Sequence, residues 1–386
     1  MQSTTPPLPP MACAFYELVA AIPDPRSPRG RRYPFRALLT AATAALLANH
    51  RSILAIAEWT AALCPAAKQA LGLPPGAAPH QTTFARLFRR FDPSLLAQLL
   101  TAAQHPRCPQ ELPARGSQGV AIDGKAQRGR RTLAGPTVHA VSLVTHDTAT
   151  VLAQIPLTAP TDSEAAVVLP LLAQVPWHGR VLTGDALYCQ TAFCQTVLTA
   201  GGDYLLSVKA NQPSLLRDIQ WLFVEPHLLD DLRTARTVSK GHGRLEERVL
   251  RVSSDLADYS RWPGVAQVFE LTRTWQDAAG CRHQATSYGI TSLPAHVADA
   301  LRILGLKRGH WTIENRVHWI KDEVLGEDAS RIRCDHGPTV MAMLRDTVLN
   351  LIRRAGHSSV AAALRAYSRD AHAALALVGC RVAEHA

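Results

Sequence analysis

Apolar positions recur at helical spacing through the first hundred residues, then change to short runs and strict alternation, and that change divides the chain. Phe35 to Ala48 and Ile53 to Leu63 read as helices around the polar break Asn49-His50-Arg51-Ser52. A third helix is predicted from Thr82 to Phe91, with Phe84, Leu87, Phe88 and Phe91 on one face and Arg86, Arg89 and Arg90 on the other. Pro6, Pro7, Pro9 and Pro10 predict a disordered start over 1–12, which leaves an all-helical unit at 13–108. Pro113 and Gly116 punctuate a linker over 109–118.

Beyond the linker, Val120-Ala121-Ile122 reads as a short buried strand ending on Asp123. His139 to Val144 and Val151 to Leu157 read as two more strands, joined by the turn His146-Asp147-Thr148. Glu164 to Val175 is predicted helical with a kink at Pro170. Then come a strand from Arg180 to Thr183 that stops at Gly184-Asp185, a helix from Ala192 to Ala200 and a strand from Tyr204 to Lys209. From about 211 to 294 the pattern is β-rich, as in Arg248-Val249-Leu250-Arg251-Val252, and reads as an insertion. Helical character returns from Ala295 through Glu314, from Pro338 to Arg354 and from Ser359 to Val378. The fold class expected over 119–386 is therefore α/β, a mixed sheet flanked by helices.

Composition narrows the function. A chain of 386 residues at 47% hydrophobic content can bury a sizeable core, which excludes a disordered protein. Lys and Arg number 41 against 31 Asp and Glu, and the pI near 9.5 attracts polyanions, nucleic acid first among them. The longest apolar run, Ala37 to Ala48, falls short of the roughly 18 to 20 residues of a membrane span. The eight cysteines have irregular spacing and no basic-then-apolar leader precedes them, so reduced thiols in the cytoplasm are expected. His178, Cys189 and Cys194 lack zinc-site spacing.

Asp123 and Asp185 fall where strands end, the place where open α/β sheets build their sites. For either alone, capping the next helix or closing a turn is the better reading. A third element, Arg308 to Arg333, changes the weighing. In it Trp311, Glu314, His318 and Lys321 recur at spacings of three, four and three, which predicts one helical face. A carboxylate among tryptophans and histidines is costly to bury unless a cation meets it, and a metal shared with the two aspartates would do so. Asp162 and Glu164 are expected to cap and open the helix that follows them. Glu327 and Asp328 are expected to pair locally with Arg331 and Arg333.

Several motifs occur together: Ile-Asp-Gly-Lys around Asp123, Thr-Gly-Asp-Ala-Leu-Tyr-Cys-Gln around Asp185, and Val-Lys-Ala-Asn-Gln around Lys209. His-Gly-Arg-Leu-Glu follows at His242, then Arg-Gly-His-Trp-Thr-Ile-Glu-Asn at Arg308 and Gly-Glu-Asp-Ala-Ser-Arg at Gly326. In this order they resemble the insertion-sequence transposases of the DDE class, the group that includes the H-repeat-associated proteins. The resemblance runs from Asp24 to Leu349. It implies a ribonuclease-H-like core split by a β-rich insertion. It also implies that Asp123, Asp185 and Glu314 are catalytic and hold two Mg²⁺ or Mn²⁺ ions, about 3.5 to 4 Å apart in such sites. The implied substrates are double-stranded DNA at the element's terminal inverted repeats and at the target, with phosphodiester cleavage followed by joining of 3′-hydroxyl ends. Pairing two ends implies a homodimer on DNA.

Related transposases carry a Tyr, Arg, Glu, Lys signature, of which Glu314 and Lys321 fill the last two places. Lys307 stands in the Tyr place and His310 in the Arg place, with Arg308 near enough to substitute. Candidate phosphate contacts are Lys125, Arg128, Lys209, Arg244, Arg308 and Lys321 in the catalytic half and Arg86 and Arg89 in the helical unit. Two rivals remain open here: a nuclease of the same fold without strand transfer, and a DNA-binding protein descended from a transposase.

Overall fold

The computed structural model describes residues 15–29, 31–104, 114–132, 135–157, 164–225, 229–241, 244–277 and 280–382; at 102–104, 126–132, 135–139, 241 and 244 it describes the backbone alone. The expectations for 1–12, for most of the linker and for Asp162 fall outside the described residues.

Among the described residues six helices come first: α1 (Phe15–Ala20), α2 (Phe35–Leu47), α3 (Ile53–Ala62), α4 (Pro65–Ala70), α5 (Gln81–Arg90) and α6 (Pro93–Gln104). Every residue of α2 except Arg36 is buried, so the uniformly apolar run belongs to the centre of a helical layer. Among the described residues no helix is long and apolar enough to cross a membrane. The polar break after α2 works through Asn49, whose φ of 68° turns the chain, and Ser52, whose hydroxyl accepts the Ala55 N–H at 3.1 Å and caps α3. In α5, Phe84, Leu87 and Phe88 are buried while Arg86, Arg89 and Arg90 are exposed.

The α/β part runs β1 (Gln118–Thr132), β2 (Gly135–Thr145), β3 (Val151–Pro156), α7 (Glu164–Leu172), β4 (Arg180–Gly184), α8 (Thr191–Thr199) and β5 (Asp203–Val208). Next come α9 (Pro213–Val224), β6 (Leu232–Gly241), β7 (Arg244–Ser253), β8 (Gln267–Gln276), β9 (Arg282–Thr291) and α10 (Ala300–Gly309). A π-wound stretch covers Glu314–His318 and Ile320–Val324, followed by α11 (Gly337–Arg354), α12 (Val360–Arg369) and α13 (Ala371–Leu377). Among the described residues the strands form one nine-stranded sheet, in the order β3-β2-β1-β4-β5-β9-β8-β7-β6. Pairing is parallel from β1 to β4 and from β4 to β5, and antiparallel elsewhere. The fold is mixed α/β and consistent with the ribonuclease-H-like class.

Three differences from the sequence reading have physical causes. Strand β1 continues past Asp123 because β2 still pairs with it there, although its pairing with β4 ends at Ala121. The β-rich insertion opens with helix α9, where Pro213 starts the first turn and Leu215, Ile219 and Phe223 form a buried stripe. The run from 359 to 378 breaks at Asp370, which is extended and accepts the Ala373 N–H at 2.9 Å to start α13.

Val120, Ile122 and Leu182 point to one face of the sheet, packed with α7, α8 and α9. Val181 and Leu205 point to the other, against Ile303, Leu304 and Leu306 of α10. The third core joins α1 to α6 with α11 to α13, Ile313 and Val317 of the π-wound stretch, and Ala121, Val144 and Val151 of the sheet. The helices before the linker therefore share their interior with the helices that close the chain.

Candidate metal centre and its surroundings

The parallel register of β1 and β4 pairs Gln118 with Arg180 and Ala121 with Thr183. Carried two residues further, the same offset sets Asp123 beside Asp185, just past the point where β1 and β4 cease to pair, because parallel strands advance together. Asp123 Oδ1 accepts the Gly124 N–H at 2.9 Å, and Oδ2 lies 3.6 Å from His318 Nδ1. Asp185 is more open, with its Oδ1 3.8 Å from His310 Nε2.

Glu314 arrives from the π-wound stretch. There the Trp319 N–H bonds to the Glu314 carbonyl and the Leu325 N–H to the Ile320 carbonyl, five residues back in each case. Such π turns concentrate at functional sites. Glu314 Oε2 stands 3.0 Å from His318 Nδ1, and one ligand atom each from Asp123, Glu314 and His318 lie within 4.8 Å of one another. Asp123 and Glu314 thus come together although far apart in the chain, while Asp185 flanks that trio.

Burial raises the Asp123 carboxyl to about 6; His318 opposes the rise, while the charges of Glu164 and Asp185 add to it. His310 is pushed down to about 4, by burial first and by Lys307 second. His146 is pushed down to about 4 by burial and by His310. At neutral pH both rings are therefore uncharged. The Thr183 hydroxyl lies between them, 2.8 Å from His146 Nε2 and 3.4 Å from His310 Nδ1. Lys307, half-buried, donates to Ser207 Oγ at 2.5 Å.

A family model described as a transposase DDE domain matches residues 114–351, and a second, described as associated with that domain, matches 16–102. The chain belongs to the DDE transposase family. It is 30% identical over 248 residues to YncI of Escherichia coli O157:H7, provisionally named a transposase, with 61% of each chain covered. It is 27% identical over 243 residues to YhhI of Escherichia coli K12, provisionally named an H repeat-associated transposase, covering 60% of this chain and 63% of that one. It is also 30% identical over 259 residues to an uncharacterized protein in the dhlA 3′ region of Xanthobacter autotrophicus, covering 65% of this chain and 84% of that one. The matched stretches thus span about three-fifths of the two Escherichia coli proteins' own length. DDE transposases are enzymes that act on nucleic acid.

In this DDE chain two residues beside the carboxylates escaped the sequence reading as site members. His318 was placed on the right helix, and its signal was the four-residue spacing from Glu314. Glu164 does open α7, but its carboxylate also lies against the backbone of Gly124, next to Asp123. No periodicity signals that contact.

The basic residues divide. Lys209, Arg308 and Arg86 are exposed, and Arg89 is exposed with Nε 2.7 Å from Asp335. The side chains of Arg128 and Arg244 lie outside what is described. Lys125 is nearly buried, and its ammonium bonds both oxygens of Asp322 at 2.6 Å. Lys321 corrects the expectation of a phosphate ligand: 3% exposed, its ammonium lies 2.8 Å from Asp346 and 3.6 Å from Glu327. Seven residues make about two turns of an α-helix, but the wider π winding leaves them short of that and turns Lys321 inward, away from Glu314. Glu327 faces this interior pair. Cys189 and Cys194 are buried thiols packed in the core.

Proposed function

We propose that this chain is a metal-dependent transposase that binds the terminal inverted repeats of its element, cuts DNA phosphodiester bonds there and joins the 3′-hydroxyl ends to target DNA. The observation that carries the reading is the meeting of Asp123, Glu314 and His318 beside Asp185 in a chain of the DDE family. Carboxylates whose mutual repulsion helps to hold Asp123 near pH 6 suit a divalent cation, because hard oxygen donors prefer Mg²⁺ or Mn²⁺. His318 adds one nitrogen beside these oxygens, which Mn²⁺ tolerates as well. Asp123, Asp185 and Glu314 would hold the ions, which when bound activate the attacking hydroxyl and stabilise the leaving oxygen.

The surrounding side chains supply the rest. His318 orients Glu314 through the 3.0 Å contact, and uncharged His310 borders Asp185 without neutralising it. Exposed Arg308 and Lys209 are the cations we assign to the phosphates. Two ends brought together require two copies of the chain on DNA. In a gel assay with end DNA and Mg²⁺, Asp123→Asn should bind DNA as wild type does and cleave at least about a thousandfold more slowly, within the range of loss expected of a residue that acts as part of a unit. Undiminished cleavage would reject the site, and free ends without joined product would favour a nuclease.

A further inference from the structure

We propose that Glu164 is a fourth carboxylate of this metal centre, held there by the Tyr188 hydroxyl and admitted by the missing side chain of Gly124. The inference rests on the metal-dependent reading above. A Cβ built on Gly124 would lie 2.6 Å from Glu164 Cδ and 2.7 Å from each of its carboxylate oxygens. The carboxylate therefore rests on the backbone of the residue that follows Asp123, in space that only glycine leaves free. Tyr188, buried in the short turn after Asp185, donates its hydroxyl to Glu164 Oε1. That bond ties α7 to the turn that begins at Asp185.

One further observation points to a ligand: one ligand atom each from Asp123, Glu314 and His318 converge within 4.8 Å of one another. His318, 4% exposed, turns Nδ1 toward Asp123 and Glu314, while its Nε2 has no hydrogen-bond partner among the described residues. A helix-opening acid needs neither the contact with Gly124 nor the tyrosine, since the helix terminus alone favours it.

The test measures Mn²⁺ binding by the full chain, without DNA, by calorimetry and by the electron spin resonance of free Mn²⁺. Glu164→Gln keeps the shape and an acceptor for Tyr188 and should weaken at least one Mn²⁺ by about tenfold or more. Tyr188→Phe should weaken the same step by a smaller factor, and Gly124→Ala should act like Glu164→Gln by displacing the carboxylate. Asp123→Asn is the control and should abolish tight binding. Wild-type affinity and stoichiometry in Glu164→Gln, with binding lost in Asp123→Asn, would overturn this inference alone. Unchanged binding in both would overturn the metal-dependent reading and this inference with it. If circular dichroism shows Glu164→Gln unfolded, Glu164→Asp, which withdraws the carboxylate by one methylene, reads the same step with the same two outcomes.

Discussion

Asp123 holds a proton up to about pH 6 in the folded protein, well above the ordinary aspartate value of 3.8, because it is desolvated and faces like charges. Between those two values the folded state binds a proton that the unfolded state has released. This group's contribution to stability is therefore present below the unfolded value and is lost as pH rises through about 6. Without metal, Asp123→Asn should stabilise the protein at pH 7.5 by roughly 1 kcal/mol, a figure lowered because a third of the side chain meets screening solvent. At pH 4 the gain should nearly vanish. Urea melts at the two pH values check this, and an equal or reversed effect would refute it. Asp123, Asp185 and Glu314 stood out in the sequence because each sits in a short run of distinctive neighbours. Glu164 did not, because its partner Gly124 is distant in sequence and no repeat connects them.

Strand and helix positions followed from periodicity wherever one face was buried, as in α5 with Phe84, Leu87 and Phe88. Helix α9 was missed because its stripe of Leu215, Ile219 and Phe223 precedes four strands whose alternation dominates the region. The π-wound stretch misled in another way, since the pattern carried no mark of the change in winding and a 3.6-residue period put Lys321 on the wrong side. Its ammonium is enclosed with Asp346, and Arg345 is buried beside them. Lys321→Met would leave Asp346 and Glu327 without that cation and should cost about 3 to 5 kcal/mol in urea melts. The salt dependence of DNA binding by whatever fraction stays folded should not change. A loss below about 1 kcal/mol together with a flatter salt dependence would restore the phosphate role.

The helices before the linker and the stretch that carries Glu314 share one core in this molecule. Exposed Arg86 and Arg89 lie on α5, whose buried face packs into the same core as Ile313 and Val317 around Glu314. Arg86→Ala with Arg89→Ala should weaken binding to the element's ends and lower the log-log salt slope by about one unit per lost phosphate contact. A fluorescence titration at several salt concentrations measures it, and an unchanged slope would leave those arginines as solvated charge. The shared core also bears on how the gene decays. A reading frame cut short before α11 would leave α2 and α5 without the helices that cover them, exposing apolar faces in place of a smaller folded product. On the function proposed above, such broken copies should be cleared as misfolded chains rather than persist as soluble competitors that occupy the ends of intact elements, so truncation would be silent toward the intact copies.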